Sequence, residues 1–462
     1  MKPLLITGGR VIDPSRHWDA EGDLLIVDGK IARAGVPPAD RDELAVPGMI
    51  VCPGFIDLHC HLREPGFEEK ETIATGTQAA ARGGFTTVCC MPNTDPPIAT
   101  AEMVERINVI AARDAVVRVL PIGCISAGRK GNVLAPLRKM AEAGAVAFSD
   151  DGSPVLDDDL MRRALLLSKE LGLPIINHCE DTRLTMGAAM NEGEVSARLG
   201  LRGFPAAAEE NMVARDLRLA GETGGRLHLA HLSTAGSVAL VRRARRDNVT
   251  FTCEVTPHHL TLTEDEVIWH SGDAKVSPPL RTEKDVQALI RALRADVIDV
   301  IATDHAPHTP AEKRRPLAEV PFGISGLETA LGSLMLLVQE GQLSLVQLIE
   351  KLTAAPAAVL GRKLGTLAVG APADITVFDL HREWVVDPAA FASKGKNTPL
   401  IGAILHGKVM ATICGGQIVY RDDSLRIAAP GAFAEKSGGL RESKRGEAPL
   451  DQGGRGIGSA NA

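Results

Sequence analysis

Aromatic side chains are scarce in this chain: Phe, Trp and Tyr together make up 3% of its 462 residues, with one Tyr and three Trp. Extensive stacking platforms for bases or sugars are thereby excluded, and the core must be built from Ala, Val, Leu and Ile. Positive charge is not in excess either. Lys plus Arg number 51 against 58 Asp plus Glu, a net charge of -7, so no global field draws the chain to nucleic acid or to anionic lipid. Any acidic ligand must be held by a few local cations. The eight cysteines contain no C-x-x-C spacing, which argues against a four-thiolate zinc site. A chain of this size needs no disulfide staples, so a reducing compartment is favoured. No apolar stretch reaches about 18 residues, and Leu4-Leu5-Ile6 is too short an apolar run for a signal peptide. The expectation is a cytoplasmic protein with neither nucleic acid nor membrane as partner.

At about 100 to 200 residues per domain, the length allows two or three domains, or one large barrel with an accessory piece. The ends of the chain read as short strands. Leu24 to Val27 and Ile31 to Ala34 flank Asp28-Gly29, a pair suited to a two-residue hairpin, and Val409 to Cys414 meets Gln417 to Tyr420 through Gly415-Gly416. Neither end has much core alone, so residues 1–52 and 365–425 are expected to pair into one small β-sandwich-like domain. After about Arg426 the composition turns to Gly, Ser, Lys, Glu and Asn, and residues 426–462 read as a disordered tail.

Between the ends, apolar β-branched runs alternate with segments of helical period such as Ala101 to Ala112, Leu160 to Leu171 and Ala208 to Ala220. Eight runs can be counted: Val51 to Leu58, Phe85 to Met91, Val116 to Gly123, Ala145 to Ser149, Pro174 to His178, Arg226 to Leu232, Val249 to Thr256 and Val297 to Thr303. Apolar strands covered by helices fit a closed parallel sheet, and eight is the number for an α/β (β/α)8 TIM barrel, here residues 53–364. A doubly wound open sheet would usually place a Gly-rich phosphate loop after its first strand, where this chain has His59-Cys60-His61. The basic run Arg242-Arg243-Ala244-Arg245-Arg246 ends a helical segment, where positive charge complements the helix dipole.

His59 and His61 stand at i and i+2, on one face of an extended chain. Burying two imidazoles together is unfavourable unless something such as a cation satisfies both. Further ligand types recur at other predicted strand ends: Asp150-Asp151 after the fourth, His178 after the fifth, His231 after the sixth and Asp304 after the eighth. In a barrel these ends converge on one mouth. Four His and two Asp suffice for two first-row ions, and ions roughly 3.5 to 4 Å apart call for a bridging anion. Asp151 is the candidate, with Asp150 the less favoured neighbour.

The stretches His59-Cys60-His61-Leu62-Arg63-Glu64-Pro65-Gly66, Met91-Pro92-Asn93-Thr94, Asn177-His178-Cys179-Glu180, His231-Leu232-Ser233-Thr234 and Ala302-Thr303-Asp304-His305-Ala306-Pro307-His308 resemble the amidohydrolase superfamily, and within it bacterial class I dihydroorotases. The resemblance implies a zinc-dependent cyclic amidohydrolase with two Zn2+ ions per chain. His59 and His61 would hold one ion, His178 and His231 the other, with Asp151 bridging and Asp304 beside the bridging water as the catalytic acid and base. It further implies that His61, Arg63, Asn93, Ser277, His308 and the backbone at Phe322 and Gly323 contact the substrate. Ser277 is a departure, since relatives usually read Asn-Pro-Pro-Leu-Arg where this chain has Ser277-Pro278-Pro279-Leu280-Arg281. The expected reaction closes N-carbamoyl-L-aspartate to L-dihydroorotate. Hydantoinases, dihydropyrimidinases and allantoinases are the rival cyclic amidohydrolases, but the first two typically bridge their metals with a carboxylated lysine. A third reading is an inactive scaffold for aspartate transcarbamoylase, a role that generally goes with lost metal ligands. A homodimer, and a complex with that transcarbamoylase, are left open.

Overall fold

The computed structural model describes residues 2–33 and 35–428. Eight strands form one parallel sheet in chain order: Phe55–Cys60, Phe85–Cys90, Arg118–Gly123, Ala147–Phe148, Ile175–Asn177, Leu227–Leu229, Phe251–Val255 and Val300–Ile301. A parallel bridge from Cys60 to His305 joins the first strand to the segment after the eighth and closes the ring. These are the first to eighth barrel strands. Inside, Ile56, Leu58, Cys89, Ile122, Ile176 and Val300 pack in one buried cluster, while the outer faces are sealed by helices including Ala101–Asp114, Asp158–Leu171 and Ala206–Thr223. Both faces of each strand are therefore covered, which is why the strands read as continuous apolar runs.

A nine-stranded sheet is assembled from both chain ends. Its path runs Gln417–Arg421, Ile404–Cys414, Ile375–Val385, Ile50–Pro53, Leu4–Asp13, Trp18–Val27 and Lys30–Ile31, with Asp42–Ala45 also pairing on Leu4–Asp13 and Ile427–Ala428 on Asp42–Ala45. Its own apolar cluster includes Ile6, Val11, Leu44, Val51, Ile375 and Ile413. The Asp28-Gly29 hairpin forms, with φ of 49° and 74° at its two central residues and the register Ile26↔Ile31 and Val27↔Lys30. Positive φ at both positions gives the turn the twist that suits flanking strands. Ala34, the expected end of the second hairpin strand, lies outside the described residues, as does the tail from residue 429. The tail's first residues are not irregular: Ile427–Ala428 pairs antiparallel with Leu44 and Glu43.

One expected strand divides in two. Val51 to Leu58 reads as a single apolar run, yet Ile50–Pro53 belongs to the mixed sheet and only Phe55–Cys60 to the barrel. The switch occurs at Gly54, whose N–H donates to the Asp374 carbonyl at 2.8 Å. A Cβ at that position would run into the Thr86 side chain, so glycine lets the chain pass between sheets at close quarters. Hydrophobicity is continuous across the junction and carries no sign of it.

Candidate active site

The C-terminal ends of the barrel strands converge on a cavity of about 470 Å³. His59 lies in the first strand and His61 just beyond it. Asp151 follows the fourth, His178 the fifth, His231 the sixth and Asp304 the eighth. All six side chains are buried and meet at one point. Asp151 Oδ1 lies 3.4 Å from His59 Nε2, 3.6 Å from His178 Nδ1 and 3.9 Å from His231 Nε2, while its Oδ2 lies 3.6 Å from His61 Nε2. Asp304 Oδ1 is 3.1 Å from His61 Nε2 and 3.4 Å from His59 Nε2. His178 Nδ1 and His231 Nε2 face each other at 2.9 Å. Asp150 is turned away, its carboxylate accepting from the Ile125 and Ser126 N–H groups.

The backbone is bent to achieve this. His231, Asp304 and Arg63 have φ of 30°, 45° and 61°, a region that costs an L-residue roughly 1 to 2 kcal/mol. The turn into Asp304 is braced by Asp57, a buried carboxylate on the first strand that accepts from Thr303 N at 2.8 Å and Thr303 Oγ1 at 2.5 Å. Strain held in place by such contacts is typical of functional positions.

The cluster fits a divalent cation. Groups of three ligand atoms, His59 with His61 and Asp151, His59 with His231 and Asp304, and Asp151 with His178 and His231, each lie within 4.8 Å of one another. His59 Nδ1 is 2.9 Å from Glu254, leaving Nε2 with no hydrogen-bond partner although it is fully buried. Electrostatics point the same way. Burial works against the charged imidazoles and prevails at His61, whose pKa it lowers, but at two others the adjoining carboxylates outweigh it, raising His59 well above its usual value and His178 to about 10. Conversely, burial works against ionisation of Asp151 and Asp304, yet the neighbouring imidazoles hold both carboxyls well below the usual range. The site thus demands positive charge, supplied by protons or by cations, and neutral His with carboxylate is a common ligand set for zinc.

Arg63, Asn93, Ser277 and Phe322 line the cavity with the cluster. Arg63 donates through Nε to the Pro307 carbonyl at 3.2 Å and makes no ion pair with Glu64 or Glu68; burial lowers its pKa to about 10, which leaves it charged at neutral pH. Asn93 Oδ1 is 2.8 Å from His61 Nδ1. His308 sits behind Arg63, with Nε2 2.8 Å from the Phe322 carbonyl oxygen and 3.2 Å from the guanidinium. Gly323 does not face the cavity with free backbone groups: its N–H donates to Lys275 O at 2.8 Å and its carbonyl accepts from Asn397 Nδ2 at 2.9 Å.

Several residues at the site were not anticipated from the sequence. Glu180 takes His178 Nε2 at 2.8 Å and lines the cavity. Lys275 also lines it, its ammonium donating to Leu317 O at 2.6 Å and lying 4.6 Å above the Phe322 ring; burial lowers its pKa to about 8. Asp57 and Glu254 lie beneath. Their signal was an acidic residue within an apolar strand, because carboxylates are almost never fully buried without partners.

The Amidohydrolase family model matches residues 50–419. A dihydroorotase from Pelotomaculum thermopropionicum is 53% identical over 92% of this chain and 100% of its own length. Another from Syntrophus aciditrophicus is 48% identical over 91% of this chain and 100% of its own. Among solved structures, an L-hydantoinase (dihydropyrimidinase) from Arthrobacter aurescens superimposes with a TM-score of 0.81, at 26% identity, covering 91% of this chain and 96% of that one.

Proposed function

This chain belongs to the amidohydrolase family, among its dihydroorotases, and from that premise we propose how its residues close N-carbamoyl-L-aspartate to L-dihydroorotate in pyrimidine biosynthesis. The observation that carries the reading is Asp151, one carboxylate within reach of imidazoles from the first, fifth and sixth strands. His59 and His61 would hold one Zn2+ and His178 and His231 a second, with Asp151 between them. Two such ions, when bound, would polarise the reacting carbonyl and lower the pKa of water.

The chain's own residues do the rest. In closure the carbamoyl nitrogen attacks the side-chain carboxyl carbon of the aspartate unit. A C–N bond forms, a C–O bond breaks and, with one further proton taken up from solvent, water leaves. Asp304, ionised and at the rim of the cluster, takes the proton from the nitrogen and delivers it to the departing oxygen; ring opening runs the same transfer backwards. Positioned proton transfer of this kind is worth about 10² to 10⁴ in rate. Arg63 grips the carboxylate that does not react, through parallel N–H bonds, and its Nε is anchored by donating to the Pro307 carbonyl. Asn93 and Ser277 border the same space. Fixing the substrate this way reduces the entropic part of the barrier.

The sequence comparison favours this over a hydantoinase, at 53% identity against 26%, and the carboxylate between the imidazoles is an aspartate. The test is to assay carbamoyl aspartate cyclisation and zinc stoichiometry on one preparation, with hydantoin and dihydrouracil as rival rings. Cyclisation with about two zinc ions per chain supports the proposal; opening of the rival rings alone refutes it. That the protein is cytoplasmic belongs to the same proposal. No helix among the described residues is long and apolar enough to cross a membrane.

A further inference from the structure

The seventh barrel strand reads Phe251-Thr252-Cys253-Glu254-Val255, and its one carboxylate, Glu254, is fully buried. A carboxylate in such a place is costly unless hydrogen-bonded. Glu254 has two imidazole partners: Oε1 lies 2.9 Å from His59 Nδ1 and Oε2 lies 3.0 Å from His228 Nε2. Oε1 also accepts the His231 backbone N–H at 3.4 Å. His228 is itself fully buried and is no part of the ligand cluster; its other nitrogen, Nδ1, is 2.7 Å from Thr252 Oγ1.

An ionised carboxylate only accepts hydrogen bonds, so both facing nitrogens carry protons. A neutral His59 protonated at Nδ1 has its lone pair on Nε2, the atom that faces Asp151 and Asp304 at 3.4 Å. Thr252 then donates to His228 Nδ1, and every member of the chain is satisfied. We propose that Glu254 is a positioning residue for the metal cluster: it fixes the tautomer and ring orientation of His59, and its charge makes Nε2 a better donor to a cation. His228 is the second donor that holds the carboxylate in place. The inference rests on the reading above that the cluster holds divalent cations.

Glu254→Gln separates charge from shape, since the amide oxygen accepts from His59 and the amide N–H₂ donates to His228 in its other tautomer. The full-length protein is loaded with Co²⁺ and titrated with a chelator while the visible absorption is followed. The expected result is Co²⁺ affinity lowered by about 10- to 100-fold, the usual scale for such a support, with the melting temperature in EDTA unchanged. Affinity equal to wild type, or a lowered melting temperature in EDTA with unaltered affinity, overturns the proposal. Should Glu254→Gln fail to fold, Glu254→Asp decides. Charge kept with reach to His59 lost is expected to weaken Co²⁺ at least about 5-fold, and wild-type affinity refutes the role. A wild-type protein that takes up no Co²⁺ instead refutes the underlying reading of the cluster.

Discussion

Ser277 Oγ lies 3.4 Å from Glu180 Oε2, the same carboxylate oxygen that takes His178 Nε2 at 2.8 Å. The hydroxyl is tied into the support of a cluster histidine while still bordering the cavity. The resemblance leads to the expectation of Asn at this position, and the Ser found here makes its contact with that support. Ser277→Ala is expected to raise KM about 3- to 5-fold, the worth of one neutral hydrogen bond near 1 kcal/mol, with kcat within about 2-fold. Steady-state kinetics check it, and a large fall in kcat with KM unchanged would contradict it.

Asp304→Asn keeps the side chain's shape but cannot carry a proton. Turnover should fall by about 10³-fold or more, with zinc content and far-ultraviolet circular dichroism close to wild type. Near-normal turnover in that variant would remove Asp304 from its role.

Among the described residues, Arg63 is the one guanidinium lining the cavity. Arg63→Ala is expected to raise KM by about 10- to 100-fold, since charge-assisted bonds to a carboxylate are worth about 1.5 to 3 kcal/mol, before metal content changes. Arg63→Lys should recover only part of this, because an ammonium cannot make the two-pronged contact. Unchanged kinetics in Arg63→Ala would exclude the clamp.

In the mixed sheet, Lys408 Nζ lies 2.7 Å from Asp422 Oδ2. Burial opposes ionisation of Asp422, but the Lys408 and Ser424 contacts prevail and lower its pKa to about 2. A carboxyl depressed below its ordinary 3.8 adds stability that is complete above that value and is lost as pH falls through about 2. With solvent screening the contribution is at most about 1 kcal/mol. Asp422→Asn should therefore lower the melting temperature slightly at pH 7, and the gap from wild type should narrow below pH 4. A gap that widens in acid would reverse the sign of the argument.

The barrel and most of its site were legible because their signals are local. Strand and helix periods show in a few residues, and His59, His61, Asp151, His178, His231 and Asp304 stand out as ligand types at strand ends. The resemblance added Arg63 and His308 behind them. What could not be read shares one property. Glu254 meets His59 across 195 positions of sequence and Asp57 braces Thr303 across 246, and nothing near either residue names its partner. The division at Gly54 was hidden for a related reason: both sheets demand apolar residues, so the pattern runs unbroken through the junction.

Sequence alone determined which chemistry the chain can do, since imidazole, carboxylate and guanidinium are fixed by residue type and their spacing fixes which face of a strand they share. Only the closed barrel decided which of them meet. Closure brings strand ends far apart in the chain to within a few ångströms, and there burial, opposing charge and bent backbone select Asp151 over Asp150, turn Ser277 toward Glu180 and put Glu254 under His59.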